Sequence, residues 1–256
     1  MKQSRLRLDR ALVARGLADS EKEAQALILA GEVRLNGLRA DKAGTPVPTD
    51  ARLELTTRQK FASRAGLKLE AALADFSLLP TGLTCLDLGS STGGFTDCLL
   101  QHGAAKVFSV DVNIHQLAWK LQQDPLVFPV KCNARNLSPR HISQRVDLIT
   151  ADVSFISLCK IIPAALTCAA PNANFLLLIK PQFELPSSDI PKGGIVTDPL
   201  LHQKAIAAVK SSAANLGLQI LNVLPSRLPG AQGNLEFFLH ARLPANASSW
   251  LARSST

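Results

Sequence analysis

From residue 61 onward, short apolar runs alternate with helical patterns, and this alternation constrains the fold more than any other feature of the chain. The strand-like runs are "TCLDLG", "AKVFSVDV", "LVFPVKC", "VDLITADV", "NFLLLIK", "LQILNVL" and "LEFFLHARL". Between them lie helical stretches such as "GFTDCLLQHG" and "DPLLHQKAIAAVKSSAANLG". The second of these has Asp198 as its cap, Pro199 at the first helical position and Gly217 beyond its end. Such alternation predicts a doubly wound α/β sheet. Only the Pro/Gly-rich "PSRLPGAQGN" separates the last two runs, which are expected to form a hairpin and place an antiparallel strand in the sheet. With 46% hydrophobic residues in a chain of 256, a substantial core can be buried.

Several classes are disfavoured at once. No apolar run reaches the roughly 18 residues of a membrane span. The most apolar stretch, "FISLCKIIPAALTCAAPNANFLLLI", is broken by Lys160, Pro163, Pro171 and asparagines, and reads as a helix followed by a buried strand. The N-terminal "MKQSRLRLDR" lacks the apolar core of a secretory signal, so a cytoplasmic location is expected. Cys85, Cys98, Cys132, Cys159 and Cys168 are scattered without a C-x-x-C pair and are expected to be buried free thiols.

Inside the alternating region, "CLDLGSSTGGFTD" reads as a strand, a glycine-rich turn and a helix start. A triphosphate-binding loop would need a lysine where Phe95 stands. A dinucleotide fingerprint would need glycine where Ser91 stands. The third reading is a turn for S-adenosylmethionine, in which small residues let the backbone approach the methionyl part. An acidic residue ending the next strand then bonds the ribose, and "VFSVDV" provides Asp111 at that place.

Four charged residues emerge from apolar surroundings. Lys68 lies on the helix that opens before the first strand of this region. Asp152 and Lys180 end the strands "VDLITA" and "NFLLLI", and Glu236 is expected inside the otherwise apolar last strand. Ligands of α/β sheets bind at the carboxyl ends of strands. Charges placed there are costly unless paired.

The first sixty residues form a separate pattern. "RLDRALVARGL" puts Leu8, Leu12 and Val13 on one helical face and stops at Gly16. Ser20 and Glu23 make a capping box for a second helix that Gly31 ends. Asn36-Gly37 then joins two short strand-like runs as a hairpin. This segment holds 12 Lys+Arg against 8 Asp+Glu, half of the chain's net charge of +8. A basic excess points to an anionic partner.

The pattern "RLDRALVARGLADSEKEAQALILAGEVRLNG" resembles the RNA-binding domain named after ribosomal protein S-four. That resemblance implies RNA contacts from Arg5, Arg7, Arg10, Arg15, Lys22, Arg34 and Arg39, with Arg64 beyond the connecting "TTRQK". The Lys68-Asp152-Lys180-Glu236 order resembles the tetrad of FtsJ-type RNA 2′-O-methyltransferases. With "SRAGLKL", "DLGSSTGGFTD", "VDVNIHQLAWKL", "NAR", "IKPQFE", "KGGIV" and "GNLEF", the chain from residue 5 to about 243 is similar to the TlyA family of ribosomal RNA 2′-O-methyltransferases, often labelled "hemolysin A". Ala65 and Pro191 depart from that family's usual glycines.

The resemblance implies an RNA-binding domain over residues 1–60 and a Rossmann-like class I methyltransferase domain over 61–245, and the polar "PANASSWLARSST" predicts a disordered tail over 246–256. It implies cofactor contacts from Asp87, Gly89, Ser90, Ser91, Thr92, Gly93, Gly94, Phe95, Asp111, Val112, Asn133, Ala134 and Asp152. It also implies a cytidine in ribosomal RNA, or in a ribosomal subunit, as the target. Methyl transfer to a ribose hydroxyl requires loss of the hydroxyl proton and needs no metal, because the sulfonium charge disappears in the reaction. A partly desolvated lysine beside another cation suits that proton, so Lys180 is expected to act on it, with Lys68 as the neighbour and Asp152 and Glu236 orienting the two. The competing readings are a membrane-active cytolysin and a non-catalytic ribosome-assembly factor. The sequence leaves the oligomeric state open.

Overall fold

The computed structural model describes residues 5–55, 60–230 and 233–245. The expected disordered tail, residues 246–256, lies outside the described residues. Two compact units divide between Gln59 and Lys60.

The first unit begins with β1 (Arg5–Arg7), α1 (Leu8–Ala14) and α2 (Glu21–Leu29). It continues through β2 (Val33–Leu35), β3 (Leu38–Arg39), β4 (Pro46–Pro48) and β5 (Leu53–Leu55). Leu8 and Leu12 on α1, Ile28 on α2 and Val33 on β2 are each no more than 2% exposed and form its core. The Ser20 hydroxyl accepts the Glu23 N–H at 3.2 Å, and Glu23 in turn accepts the Asp19 N–H at 2.7 Å, so the capping box closes one residue early. Asn36 and Gly37 both take positive φ, 51° and 82°, as a tight primed hairpin turn requires.

The second unit is a seven-stranded sheet flanked by helices. Its elements are α3 (Ala65–Asp75), β6 (Thr84–Leu88), α4 (Gly94–Gln101), β7 (Lys106–Asp111), α5 (Trp119–Gln122) and β8 (Val127–Lys131). Then follow β9 (Val146–Ala151), α6 (Ile162–Cys168), β10 (Ala169–Ile179), α7 (Pro181–Glu184), α8 (Pro199–Asn215), β11 (Gln219–Pro225) and β12 (Phe237–Arg242). The strand order is β11-β12-β10-β9-β6-β7-β8, with β12 antiparallel to both of its neighbours and the rest parallel. The chain leaves β6 toward β7 on one side and returns to β9 on the other, so the order reverses between β6 and β9. Such a switch point opens a crevice at the strands' carboxyl ends. The Asp198 side chain caps α8 by accepting the Leu200 N–H at 2.8 Å, and Pro199 opens the helix.

The last hairpin forms as the sequence implies, with one difference. The sequence pattern puts Glu236 inside the strand, but β12 begins at Phe237. Because β12 runs antiparallel, its first residue, Phe237, pairs with Ile179, the last of β10. Glu236 therefore stands at the same sheet edge as the carboxyl ends of the parallel strands. Placed inside β12, it would have entered the apolar layer.

Candidate active site

β6 ends at Leu88 and the chain turns sharply at Gly89, whose φ is 79°. A side chain there would meet the Asp152 carbonyl oxygen at 2.7 Å, so glycine lets the turn pack on the end of β9. The Gly89 and Ser90 N–H groups both donate to the Val110 carbonyl, at 2.9 and 3.2 Å. The Asp111 carboxylate accepts the Ser91 N–H and the Asn113 N–H, each at 2.9 Å. Asp111 thus ties the glycine turn to the end of β7.

Below the turn lies Asp87, fully buried, with the Thr96 hydroxyl donating to it at 2.7 Å. Burial pushes its carboxyl up to about 7. Asp87 supports the turn from underneath and is not among the residues that line the three cavities at this edge. Gly93 also backs the turn: a side chain there would run into Leu121 and Leu117.

Three adjoining cavities open at this edge. The first, about 650 Å³, is bounded by Gly89, Ser91, Asp111, Val112, Asn133 and Ala134. The second, about 480 Å³, holds Lys68, Asp152, Lys180 and Glu236, with Arg64 at its wall. A third of about 190 Å³ brings Ser90, Thr92, Gly94 and Phe95 against Asp152 and Lys180. Asp152 borders all three, and Cys132 borders the first. Three of the five cysteines are buried as expected, but Cys132 and Cys159 are half-exposed.

The four charged residues form two ion pairs. Lys68 Nζ lies 2.5 Å from Glu236 Oε2, and Lys180 Nζ lies 2.5 Å from Asp152 Oδ1. Lys180 also donates to Ser154 Oγ at 3.1 Å. Lys68, Lys180 and Glu236 are each at most 8% exposed. Buried ion pairs contribute little net stability after desolvation. Two of them on one cavity wall therefore fit a chemical role better than a structural one.

Sequence reasoning missed the residues between these charges. Phe155 has a φ of 64° and is 91% exposed, with its ring 5.1 Å from that of Phe183. An aromatic residue held in a strained backbone conformation at a cavity mouth is an available stacking surface. Ser154, Gln182 and Asn234 also line the second cavity. Their signal was adjacency alone, since each stands within two residues of a member of the tetrad.

Of the expected RNA contacts, Arg5, Arg7, Arg10, Arg15, Lys22, Arg34, Arg39 and Arg64 are all exposed. Arg15 is committed to its own fold, donating to the Pro48 and Thr49 carbonyls at 3.1 Å and to that of Ala51. Arg7 forks onto buried Asp9 at 3.1 and 2.6 Å. Among the described residues no cluster of His, Cys, Asp and Glu could hold a metal ion, and no helix is long and apolar enough to cross a membrane.

Known proteins share this plan. The FtsJ-like methyltransferase model matches residues 61–243, and the S4 domain model matches residues 6–53. The chain is 45% identical over 241 residues to the 16S/23S rRNA (cytidine-2′-O)-methyltransferase TlyA of Mycobacterium tuberculosis, covering 93% of this chain and 90% of that one. It is 38% identical over 237 residues to Hemolysin A of Brachyspira hyodysenteriae, covering 92% and 99%. A solved structure of a candidate hemolysin from Streptococcus thermophilus aligns with a TM-score of 0.71 at 34% identity, covering 98% of this chain and 94% of that one. The chain belongs to the TlyA family of rRNA 2′-O-methyltransferases, with an S4 domain followed by an FtsJ-like methyltransferase domain.

Proposed function

We propose that this protein transfers a methyl group from S-adenosylmethionine to the 2′-hydroxyl of a cytidine in ribosomal RNA, in the cytoplasm. The observation that carries the reading is the pair of buried lysine–carboxylate bridges beside the glycine-turn cavity. Cytidine is the target named for the Mycobacterium tuberculosis relative.

The first cavity fits the cofactor. Gly89, Ser91 and Asp111 line it together with the apolar Val112 and Ile156. Asp111, Val112, Asn133 and Ala134 would hold the adenosine part, and the turn from Gly89 to Ser91 the methionyl part. When bound, S-adenosylmethionine supplies an electrophilic methyl group. The remaining work belongs to the chain. The second cavity receives the ribose, and Phe155 offers a face on which an unstacked base can lie. Lys180 hydrogen-bonds the attacking 2′-oxygen and takes its proton as the methyl group transfers, and Asp152 and Ser154 hold the ammonium that results. Lys68, held by Glu236, adds a second cation where negative charge develops on that oxygen. Arg5, Lys22, Arg34 and Arg39 of the first unit, and Arg64, contact phosphates.

The test is transfer of labelled methyl from S-adenosylmethionine to ribosomal RNA or ribosomal subunits lacking the modification, followed by mapping of the modified nucleotide. A 2′-O-methylcytidine is expected. Label on a base, or none on RNA of either subunit, overturns the reading.

A further inference from the structure

Two sequence motifs, "KGGIV" and the "GNLEF" that carries Glu236, meet in space. Asn234 is 1% exposed. Its side-chain oxygen accepts the Val196 N–H at 2.8 Å, and its side-chain nitrogen donates to the Gly194 carbonyl at 2.9 Å. The carboxamide thus pairs with the backbone of the Gly194–Val196 turn as a neighbouring strand would. From the other side, His202 on α8 donates Nε2–H to the Val196 carbonyl at 2.8 Å. The turn is pinned at both faces of Val196, itself 1% exposed.

That turn is a wall of the tetrad's cavity, to which Gly194 and Ile190 both contribute. Asn234 also governs the other side of the same space. Its main-chain carbonyl accepts the Gly230 N–H at 2.9 Å. Gly230 packs on Glu236 so closely that a side chain there would come within 2.5 Å of Glu236 Oε1. Glu236 in turn holds Lys68. Both ends of the Asn234 carboxamide are occupied by the turn, so it is not free to read a base.

We propose that Asn234 is a positioning residue for methyl transfer: it fastens the Gly194–Val196 wall to the segment that carries Glu236, so that the wall and the Lys68–Glu236 pair move as one body. The inference rests on the methyl-transfer reading above.

The test compares full-length Asn234→Asp and Asn234→Ala with the unaltered chain, each well below its melting temperature. Three quantities are measured: single-turnover methyl transfer at saturating ribosomal RNA and cofactor, the S-adenosylmethionine Kd by calorimetry, and hydrogen exchange at the Val196 amide. At pH 8 transfer should fall about 10- to 100-fold in both variants, as sub-ångström to 1 Å misplacement produces. The Kd should stay within about twofold, because Asn234 does not line the first cavity, and the Val196 amide should exchange faster. An ionised aspartate sets two acceptors, its own oxygen and the Gly194 carbonyl, against each other. Protonated, it donates to that carbonyl again. Burial raises a carboxyl's pKa, so the ratio of the Asn234→Asp rate to the unaltered rate should climb between pH 8 and pH 6, while the Asn234→Ala ratio stays flat. Should Asn234→Ala fail to fold, the near-isosteric Asn234→Asp carries the test. Near-normal transfer, a Kd that worsens in step with the rate, or a flat Asn234→Asp ratio overturns the proposal. No transfer by the unaltered chain overturns the methyl-transfer reading instead, and exchange at Val196 then decides the coupling by itself.

Discussion

Lys180 stands where two of the three cavities, a carboxylate and a hydroxyl converge. If it acts on the proton of the attacking hydroxyl, its effect belongs to the transition state. Lys180→Ala should then lower single-turnover methyl transfer by about 10²- to 10⁴-fold while sparing cofactor and RNA affinity. Arginine should not rescue, because a guanidinium stays protonated and differs in shape. A near-normal rate for Lys180→Ala, or good rescue by arginine, would leave Lys180 as no more than an RNA-attracting cation. Asp111 is tested by binding. Its carboxylate already orders Ser91 and Asn113, so Asp111→Ala removes the proposed ribose partner and loosens the turn together. Calorimetry should show S-adenosylmethionine affinity weakened by roughly 1.5 to 3 kcal/mol, the worth of a hydrogen bond to a charged group. Unchanged affinity takes Asp111 out of the site.

At the scale of elements, the unit that matters is β6, the glycine turn and α4, with Asp87 buried inside it. The folded chain holds the Asp87 proton up to a pH of about 7, whereas an unfolded chain releases it near 4. The sign follows: the folded state binds more protons between those values, so stability is full below pH 4 and falls as pH rises toward 7. Asp87→Asn removes that dependence while keeping an acceptor for Thr96. Thermal unfolding should show the variant gaining on the unaltered protein between pH 5 and pH 8, by no more than roughly 4 kcal/mol. A constant difference across that range would mean that Asp87 does not titrate there. The elements themselves were legible, because period-two and helical apolar patterns record which faces are buried. The Asn36-Gly37 hairpin and the Asp198 cap were legible for the same local reason. What escaped the sequence is non-local. Nothing local tells that Glu236 precedes its strand, that the Arg15 guanidinium turns inward to carbonyls more than thirty residues away, or that Asp87 faces the core side of its turn. The tetrad was legible as charges emerging from apolar runs, but its pairing into Lys68–Glu236 and Lys180–Asp152 needed the antiparallel β12.

At the scale of the molecule, the two units have separate cores. Leu8, Leu12, Ile28 and Val33 pack in the first, while the clusters around Leu86 and Phe175, and around Leu69 and Phe238, belong to the second. Neither core needs the other's side chains to close, so removing residues 1–59 should leave a second unit that melts cooperatively. The whole first cavity, from Gly89 to Lys160, belongs to that unit. Its cofactor affinity should therefore stay within about twofold of the full chain's. RNA binding should not survive so well. Half of the net charge of +8 lies in the first sixty residues, and Arg5, Lys22, Arg34 and Arg39 are exposed there. Every phosphate that is no longer neutralised takes roughly 0.7 to 0.9 from the slope of log affinity against log salt. With about four such phosphates the slope should flatten by about 3, and binding should weaken most at low salt. Filter binding to ribosomal RNA across a salt series measures both. A truncated chain that keeps its affinity and its slope would show that the second unit alone, with Arg64 at its cavity, grips the RNA, and that the first unit serves a different end.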